Sequence, residues 1–334
     1  MSKKVLVLGA TGAMGRYLVP CLAEMGYQVD GVSVEDKVSD LPNVNYIKAN
    51  AKDKTVLASL LKNGYDGIVD FMWYPTGELP FAVPRFLDHT EHYIFLSSCR
   101  VYDDLEHPVK ETSPRLLDST KDVLLRNSDD YSIYKARGEN ILNGLPKKNW
   151  TIVRPATTYS FMRYQLVTLE AANTVGRAMA GKAVVVPEQA RKVQATMSWG
   201  GDVAQMIARL LFREDALRET YNVTTSEHHS WEEIADYYKD ICNLKAVWVD
   251  KEDYLGILFR SMPAANKLAI RWQLEYARLF ERVMDNSKIL AATGMKQEDL
   301  MPLYDGLKLE ISRCPENHVW PVNKAMDEYL ASMQ

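Results

Sequence analysis

The chain has 334 residues, 47% of them hydrophobic and 25% charged, with a formal net charge of −4. That length supports a full core in one large or two intimate units, and the composition is that of an ordinary globular protein in water. The charge balance excludes a global positive field that would gather nucleic acid, and no apolar run approaches the roughly 20 residues needed to cross a bilayer. The first apolar stretch is too short for a secretion signal, and Cys21, Cys99, Cys242 and Cys314 stand far apart without CxxC spacing. Reduced thiols in a cytoplasmic protein are expected, with no membrane partner and no metal site. The best histidine pair, His89 and His92, is expected to lie in water on the surface.

In chain order, Lys4 to Leu8 is strand-like and runs straight into Gly9-Ala10-Thr11-Gly12-Ala13-Met14-Gly15. Gly9 and Gly12 let a turn tighten and let backbone N–H groups approach a pyrophosphate; Gly15 lets the next helix lie close to the sheet. A helical pattern from Met14 to Met25 follows, then a strand at Gln28 to Val32, a helix at Thr55 to Asn63, and strands at Gly67 to Phe71 and Tyr93 to Leu96. This alternation implies βαβ units, hence an α/β fold with a doubly wound parallel sheet. Thr151 to Arg154 is one more strand, closed by Pro155. Beyond it the pattern predicts helix over Gln165 to Ala180, strand over Ala183 to Val186, and helices over Gly201 to Phe212 and Ser230 to Cys242. Tyr254 to Met284, rich in aromatics and Arg, fits no sheet. A cofactor domain over 1–165 and a smaller substrate lid over 166–334 are expected, with chain crossings between them.

The chemistry is concentrated at Tyr131 and Lys135, one helical turn apart on the same face. A phenol of pKa about 10 needs help to act as a base near neutrality, and a neighbouring ammonium favours phenolate. Lys135 has a second expected role, donating to the ribose hydroxyls of a nicotinamide cofactor. Ser98, at the end of the strand from Tyr93, would hydrogen-bond the substrate oxygen. Tyr134 is a competing phenol expected to pack instead. Ser33 stands at the end of the second strand, where a ribose-binding carboxylate is expected. No Arg follows it and Glu35 and Asp36 do, so the pattern leaves NAD and NADP both open.

These segments, with Ser97-Ser98-Cys99-Arg100-Val101-Tyr102, Tyr131 to Glu139, Val153 to Tyr159, Gly201-Asp202-Val203-Ala204, Tyr221-Asn222-Val223 and Asp285-Asn286-Ser287-Lys288, resemble the extended short-chain dehydrogenase/reductases, the NAD-dependent epimerase/dehydratase family. The resemblance covers nearly the whole chain. It implies a Rossmann domain with a small α/β lid, and a catalytic triad of Ser98, Tyr131 and Lys135. The cofactor would lie against Gly9, Thr11, Gly12, Ala13, Met14 and Gly15, with Ser33, Asn50, Ala51, Phe71, Met72, Trp73, Lys135 and Pro155 around it. Ser98, Cys99, Thr157 and Arg163 would meet the substrate.

Two departures qualify it. The Asp-Glu pair that follows the catalytic hydroxyl residue in the family's dehydratases is replaced by Cys99-Arg100, which disfavours elimination of water. Met72 and Trp73 replace the usual small residues beside the cofactor. The stretch from Arg115 to Asp130 has the character of a surface or partner-facing insertion. The first expectation is an NAD(P)-dependent epimerase of a nucleotide sugar, with Arg163, Arg260, Arg271 and Arg278 within reach of a diphosphate, although Arg on amphipathic lid helices is more often solvated. The rivals are a reductase of an apolar or aromatic carbonyl compound and a non-catalytic dinucleotide-binding or RNA-associated module. The partners expected are a small-molecule substrate and a second copy in a homodimer, with no nucleic acid.

Overall fold

A computed structural model describes residues 2–260 and 262–333. Seven strands form one parallel sheet in the order Thr220–Tyr221, β6 (Trp150–Val153), β5 (His92–Leu96), β4 (Gly67–Asp70), β1 (Lys4–Leu8), β2 (Gln28–Ser33) and β3 (Val44–Lys48). The residues of β1, β4, β5 and β6 are almost all buried on both faces, as a sheet covered by helices requires, while the edge strand β3 is only partly covered. Strand β1 has β2 on one side and β4 on the other, so the winding reverses there. The register aligns Leu8 with Val32 and with Asp70, Asp70 with Phe95, and Leu96 with Val153. The loops that leave those ends therefore open along one edge.

Helix α1 (Gly15–Glu24) follows β1 directly, and α2 (Lys54–Leu61) begins at Asp53, whose carboxylate accepts from the backbone N–H of Thr55 and Val56 at 2.8 and 3.1 Å. The sequence pattern gave no sign of β3 or of helix α3 (Leu79–Asp88). Both are short, and α3 carries Pro80 and Pro84, which blur its helical signal.

The chain crosses back after residue 165. Helix Gly200–Leu210 packs on α1, and Thr220–Tyr221 extends the sheet beside β6. One buried apolar cluster joins Val5, Leu18, Val69 and Val153 to Val203, Ile207 and Ile289; another joins Tyr159, Val185, Trp231, Ile257 and Leu307 in the second half. Gln165 to Ala180 is not a continuous helix: it holds a turn with Val167 at φ 53°, a short 3-10 segment at Ala171–Asn173 and helix only at Val175–Met179. Gly176 and the buried apolar residues here pack against the second cluster and against Trp320, which overrides the local pattern.

Residues 115–130 carry two short helices, Leu116–Ser119 and Val123–Asn127, with Leu116 and Leu125 buried while Leu124 is 71% exposed. His92 does not lie on the surface. It is buried in β5, bonded to Thr151 Oγ1 at 2.8 Å, and accepts the N–H of Phe212 on Nδ1; burial pulls its pKa down to about 4. His89 is exposed. No helix among the described residues is long and apolar enough to cross a membrane, and none of their His, Cys, Asp and Glu groups could hold a metal ion.

Candidate active site

Gly9 adopts φ +84°, which side chains rarely tolerate, and a Cβ on Gly15 would stand 2.3 Å from the Gly9 carbonyl oxygen. These two glycines shape the turn. All three line a cavity of about 450 Å³, but Gly12 is less crowded: the nearest atom to a Cβ added there is the Gly9 oxygen at 3.2 Å. A bulkier residue there would project into the cavity at the N-terminus of α1. Bare backbone at a helix N-terminus fits the pyrophosphate of a dinucleotide.

The catalytic side is built by helix Tyr131–Gly144 and the end of β5. Asp130 caps the helix, accepting from Ser132 N at 3.0 Å and Ser132 Oγ at 2.8 Å. Gly138 brings the helix close to the sheet, since a Cβ there would be 2.7 Å from the Phe95 ring. Farther along, buried Glu139 accepts from Ser97 Oγ at 2.5 Å and from Arg154 Nε and Nη2 at 2.7 Å each. Arg154 and Ser97 hold that carboxyl below the usual range against the cost of burial. The two adjacent serines thus divide: Ser97 locks the helix, and Ser98 lines the cavity and accepts the backbone N–H of Arg100.

Tyr131 shares that cavity with the glycine turn. Burial raises its pKa; Arg100, Arg163 and a hydrogen bond with Ser98 oppose the rise. Arg100 Cζ lies 5.1 Å from the ring centroid and pairs with Asp130 at 3.3 Å. Two cations flank the Tyr131 ring, and Arg100 is the nearer. Lys135 is 2% exposed, sits 5.8 Å from the Tyr131 centroid and donates to the Leu96 carbonyl at 2.5 Å. Burial pulls its own pKa down to about 8, against the field of Asp70 and Glu139. Asp70, also buried, accepts from Tyr93 Oη and Met72 N, both at 2.9 Å, and burial pushes it up to about 6. Tyr134 packs: it is 1% exposed, edge-on to Tyr131 at 5.4 Å.

Of the remaining predicted site residues, Ala13, Met14, Phe71, Cys99, Pro155, Thr157 and Arg163 line the cavity. Thr11 and Ser33 lie outside its lining and bond to each other at 2.7 Å between hydroxyls. Asn50 is exposed and accepts the N–H of Lys52, Ala51 is buried in the core, and Met72 packs against it. Trp73 is 43% exposed, edge-on to Tyr134 at 5.6 Å, with Lys52 Nζ 4.2 Å from its centroid. Gln165, Glu170 and Gln273, not singled out from the sequence, also face the cavity, as does Arg278, which the sequence offered as a diphosphate contact while favouring solvation. Arg278 is 8% exposed and bonds Thr157 Oγ1 and Val167 O at 2.8 Å each. Arg271 is spent on Glu252 and Glu275, and Arg260 pairs with Glu328, so neither joins the site.

Residues 5–77 match the model of the NAD dependent epimerase/dehydratase family. A curated relative, the chloroplast stem-loop binding protein of 41 kDa b from Arabidopsis thaliana, is 24% identical over 248 residues, 70% of this chain. The match spans 61% of that relative's length. Among solved structures, the chain is similar to UDP-glucuronic acid 4-epimerase from Bacillus cereus in complex with UDP-glucuronic acid and NAD, with TM-score 0.67 and 16% identity over 92% of this chain and 98% of that one. It is similar also to dTDP-glucose 4,6-dehydratase from Bacillus anthracis in complex with NAD, with TM-score 0.67 and 14% identity over 93% and 96% of the two chains. At these identities the likeness speaks for the fold.

Proposed function

We propose that this chain, whose residues 5–77 match the NAD dependent epimerase/dehydratase family model, is an enzyme that oxidises and re-reduces a carbinol, with a nucleotide sugar as substrate and epimerisation as outcome. The observation that carries the reading is the sharing of one cavity by the glycine turn, Ser98 and Tyr131. Gly9, Gly12, Gly15 and the N-terminus of α1 would hold the pyrophosphate of NAD or NADP, with Thr11 and Ser33 toward its ribose. When bound, that cofactor supplies the acceptor for the electron pair leaving carbon.

The chain's own residues handle the proton. Ser98 and Tyr131 present hydroxyls from which a substrate oxygen can be held and its proton taken onto Tyr131 Oη. Arg100, Arg163 and the Ser98 hydrogen bond favour the phenolate that this requires. Lys135, fixed on the Leu96 carbonyl behind the ring, is a positioning cation. Elimination of water would need a carbon base and an acid for the leaving hydroxyl, and the residues after Ser98 are Cys99 and Arg100, which do not supply the pair.

The rival reduction of an apolar aromatic carbonyl loses support, since Phe71 and Tyr131 are the aromatic residues lining the cavity and the ring of Trp73 lies outside it. One observation favours a second reading: the Arabidopsis relative is named for binding a stem-loop. A gel-shift series with stem-loop RNA at 50 and 200 mM salt checks it, and with a net charge of −4 weak, salt-sensitive binding is expected. The leading reading is tested by incubating the protein with NAD and a panel of nucleotide sugars. Conversion to the epimer with unchanged absorbance at 340 nm supports it; a 4-keto-6-deoxy product refutes the argument from Cys99 and Arg100.

A further inference from the structure

We infer that Arg100, Arg163 and Arg278 form an anion receptor beside Tyr131, so that the reacting molecule carries a carboxylate or phosphate next to its reacting carbinol. The inference rests on the reading of Tyr131 as the proton-transfer group. Three guanidinium groups from separate parts of the chain face one cavity with Tyr131. Arg100 is the near one: its Cζ is 5.1 Å from the phenol ring, and its Nε is buried without a hydrogen-bond partner. Arg278 is fixed by its bonds to Val167 O and Thr157 Oγ1, while its Nη2 makes no hydrogen bond among the described residues. Because the Thr157 hydroxyl accepts from Arg278, its own proton remains to be donated.

The carboxylates nearby offset this charge only in part. Asp130 touches one edge of Arg100 at 3.3 Å, and Glu170, the acidic residue in the lining, is engaged by the Gln165 amide. Buried like charges repel. Burial pulls Arg278 down to about 10, with Arg100 and Arg163 adding to the effect. A bound anion relieves this repulsion, and a guanidinium fork matches the planar oxygens of a carboxylate or two oxygens of a phosphate. The closeness of Arg100 to the phenol sets the anion beside the reacting carbon rather than at the far end of a long substrate.

The test uses the full chain with saturating NAD, so that the glycine turn is filled. One arm compares UDP-glucuronate with UDP-glucose, which differ in a carboxylate against a hydroxymethyl group. The other titrates inorganic phosphate by calorimetry. Expected are a kcat/KM favouring the uronate by ~100-fold, as befits charged hydrogen bonds, and a fall of that preference to ~10-fold or less in Arg163→Gln. Phosphate binding should weaken ~10-fold in both Arg163→Gln and Arg100→Gln. Arg163 is exposed, so its variant keeps the fold. Equal kcat/KM for the two sugars, with phosphate binding the same in all three proteins, overturns the receptor and leaves the oxidoreductase reading intact. Failure to bind NAD refutes that reading instead, and the dependence of phosphate binding on Arg163 and Arg100 then decides the receptor alone.

Discussion

The two ends of the cavity are made by opposite means. At the glycine end, the wall is backbone from one unbroken stretch, residues 9–15, and its fit depends on the absence of side chains. At the arginine end, the wall is side chains drawn from residues 98–100, 131, 157–170 and 273–278, and its character is charge. The first end responds to volume and should fail abruptly. The second responds to charge and should weaken in steps.

The sharpest way to break this comparison is within the glycine turn. In Gly15→Val the new Cβ would meet the Gly9 oxygen at 2.3 Å and Ala10 backbone at 2.8 Å, so the protein is expected to lose ~5 °C or more of thermal midpoint in calorimetry. Gly12→Val should fold with a near-normal midpoint, yet lose ~100-fold or more in dinucleotide affinity, because its side chain enters the pyrophosphate cradle. Unchanged affinity in folded Gly12→Val would remove the cofactor from this end of the cavity.

At the other end, Tyr131→Phe should lower kcat by ~10²–10⁴ with dinucleotide affinity unchanged, since only the proton path is removed. Tyr134→Phe should change kcat less than ~2-fold: its hydroxyl is buried without a partner, so its loss removes no hydrogen bond. Reversed effects would show that the neighbouring phenol carries the proton.

The same contrast explains what could be read from sequence. The glycine turn was legible because its signal is contiguous and lies directly between a strand and a helix; β1, β2, β4, β5 and β6 were legible as buried apolar runs, whereas the edge strands β3 and Thr220–Tyr221 were not. Tyr131 was visible through its spacing to Lys135, but that spacing did not reveal Arg100 as a second and nearer cation. Helical geometry puts the two on one face, whereas the strand end at Leu96 decides where the ammonium bonds. The burial of Arg278 was illegible for another reason. It depends on the Val167 turn and on Thr157, more than a hundred residues away in sequence, and no local pattern encodes a contact of that length. The expected helix over 165–180 failed alike, because the residues that fold it into turns are its packing partners.

The smallest effect separates Lys135 from both ends. Its folded pKa, about 8, lies below the ordinary 10.5, so between those values the unfolded chain holds a proton that the folded chain sheds. Stability from this group therefore rises as pH climbs through that window. Asp70 has the opposite sign: at about 6 against 3.8, its contribution is present below the lower value and is lost as pH rises through the upper one. Above pH 6 the ionised Asp70 supports the Lys135 ammonium, ahead of Glu139, which is already engaged by Arg154. Asp70→Asn keeps an acceptor for Tyr93 and Met72 but removes that support. If the ammonium holds the ribose and orients the phenol, the alkaline limb of kcat/KM, expected near pH 8 in the parent, should move to lower pH in Asp70→Asn while the value at pH 6 changes little. A limb that stays in place would show that it does not report the Lys135 ammonium, and Lys135 would then serve only to fasten the helix to the Leu96 carbonyl.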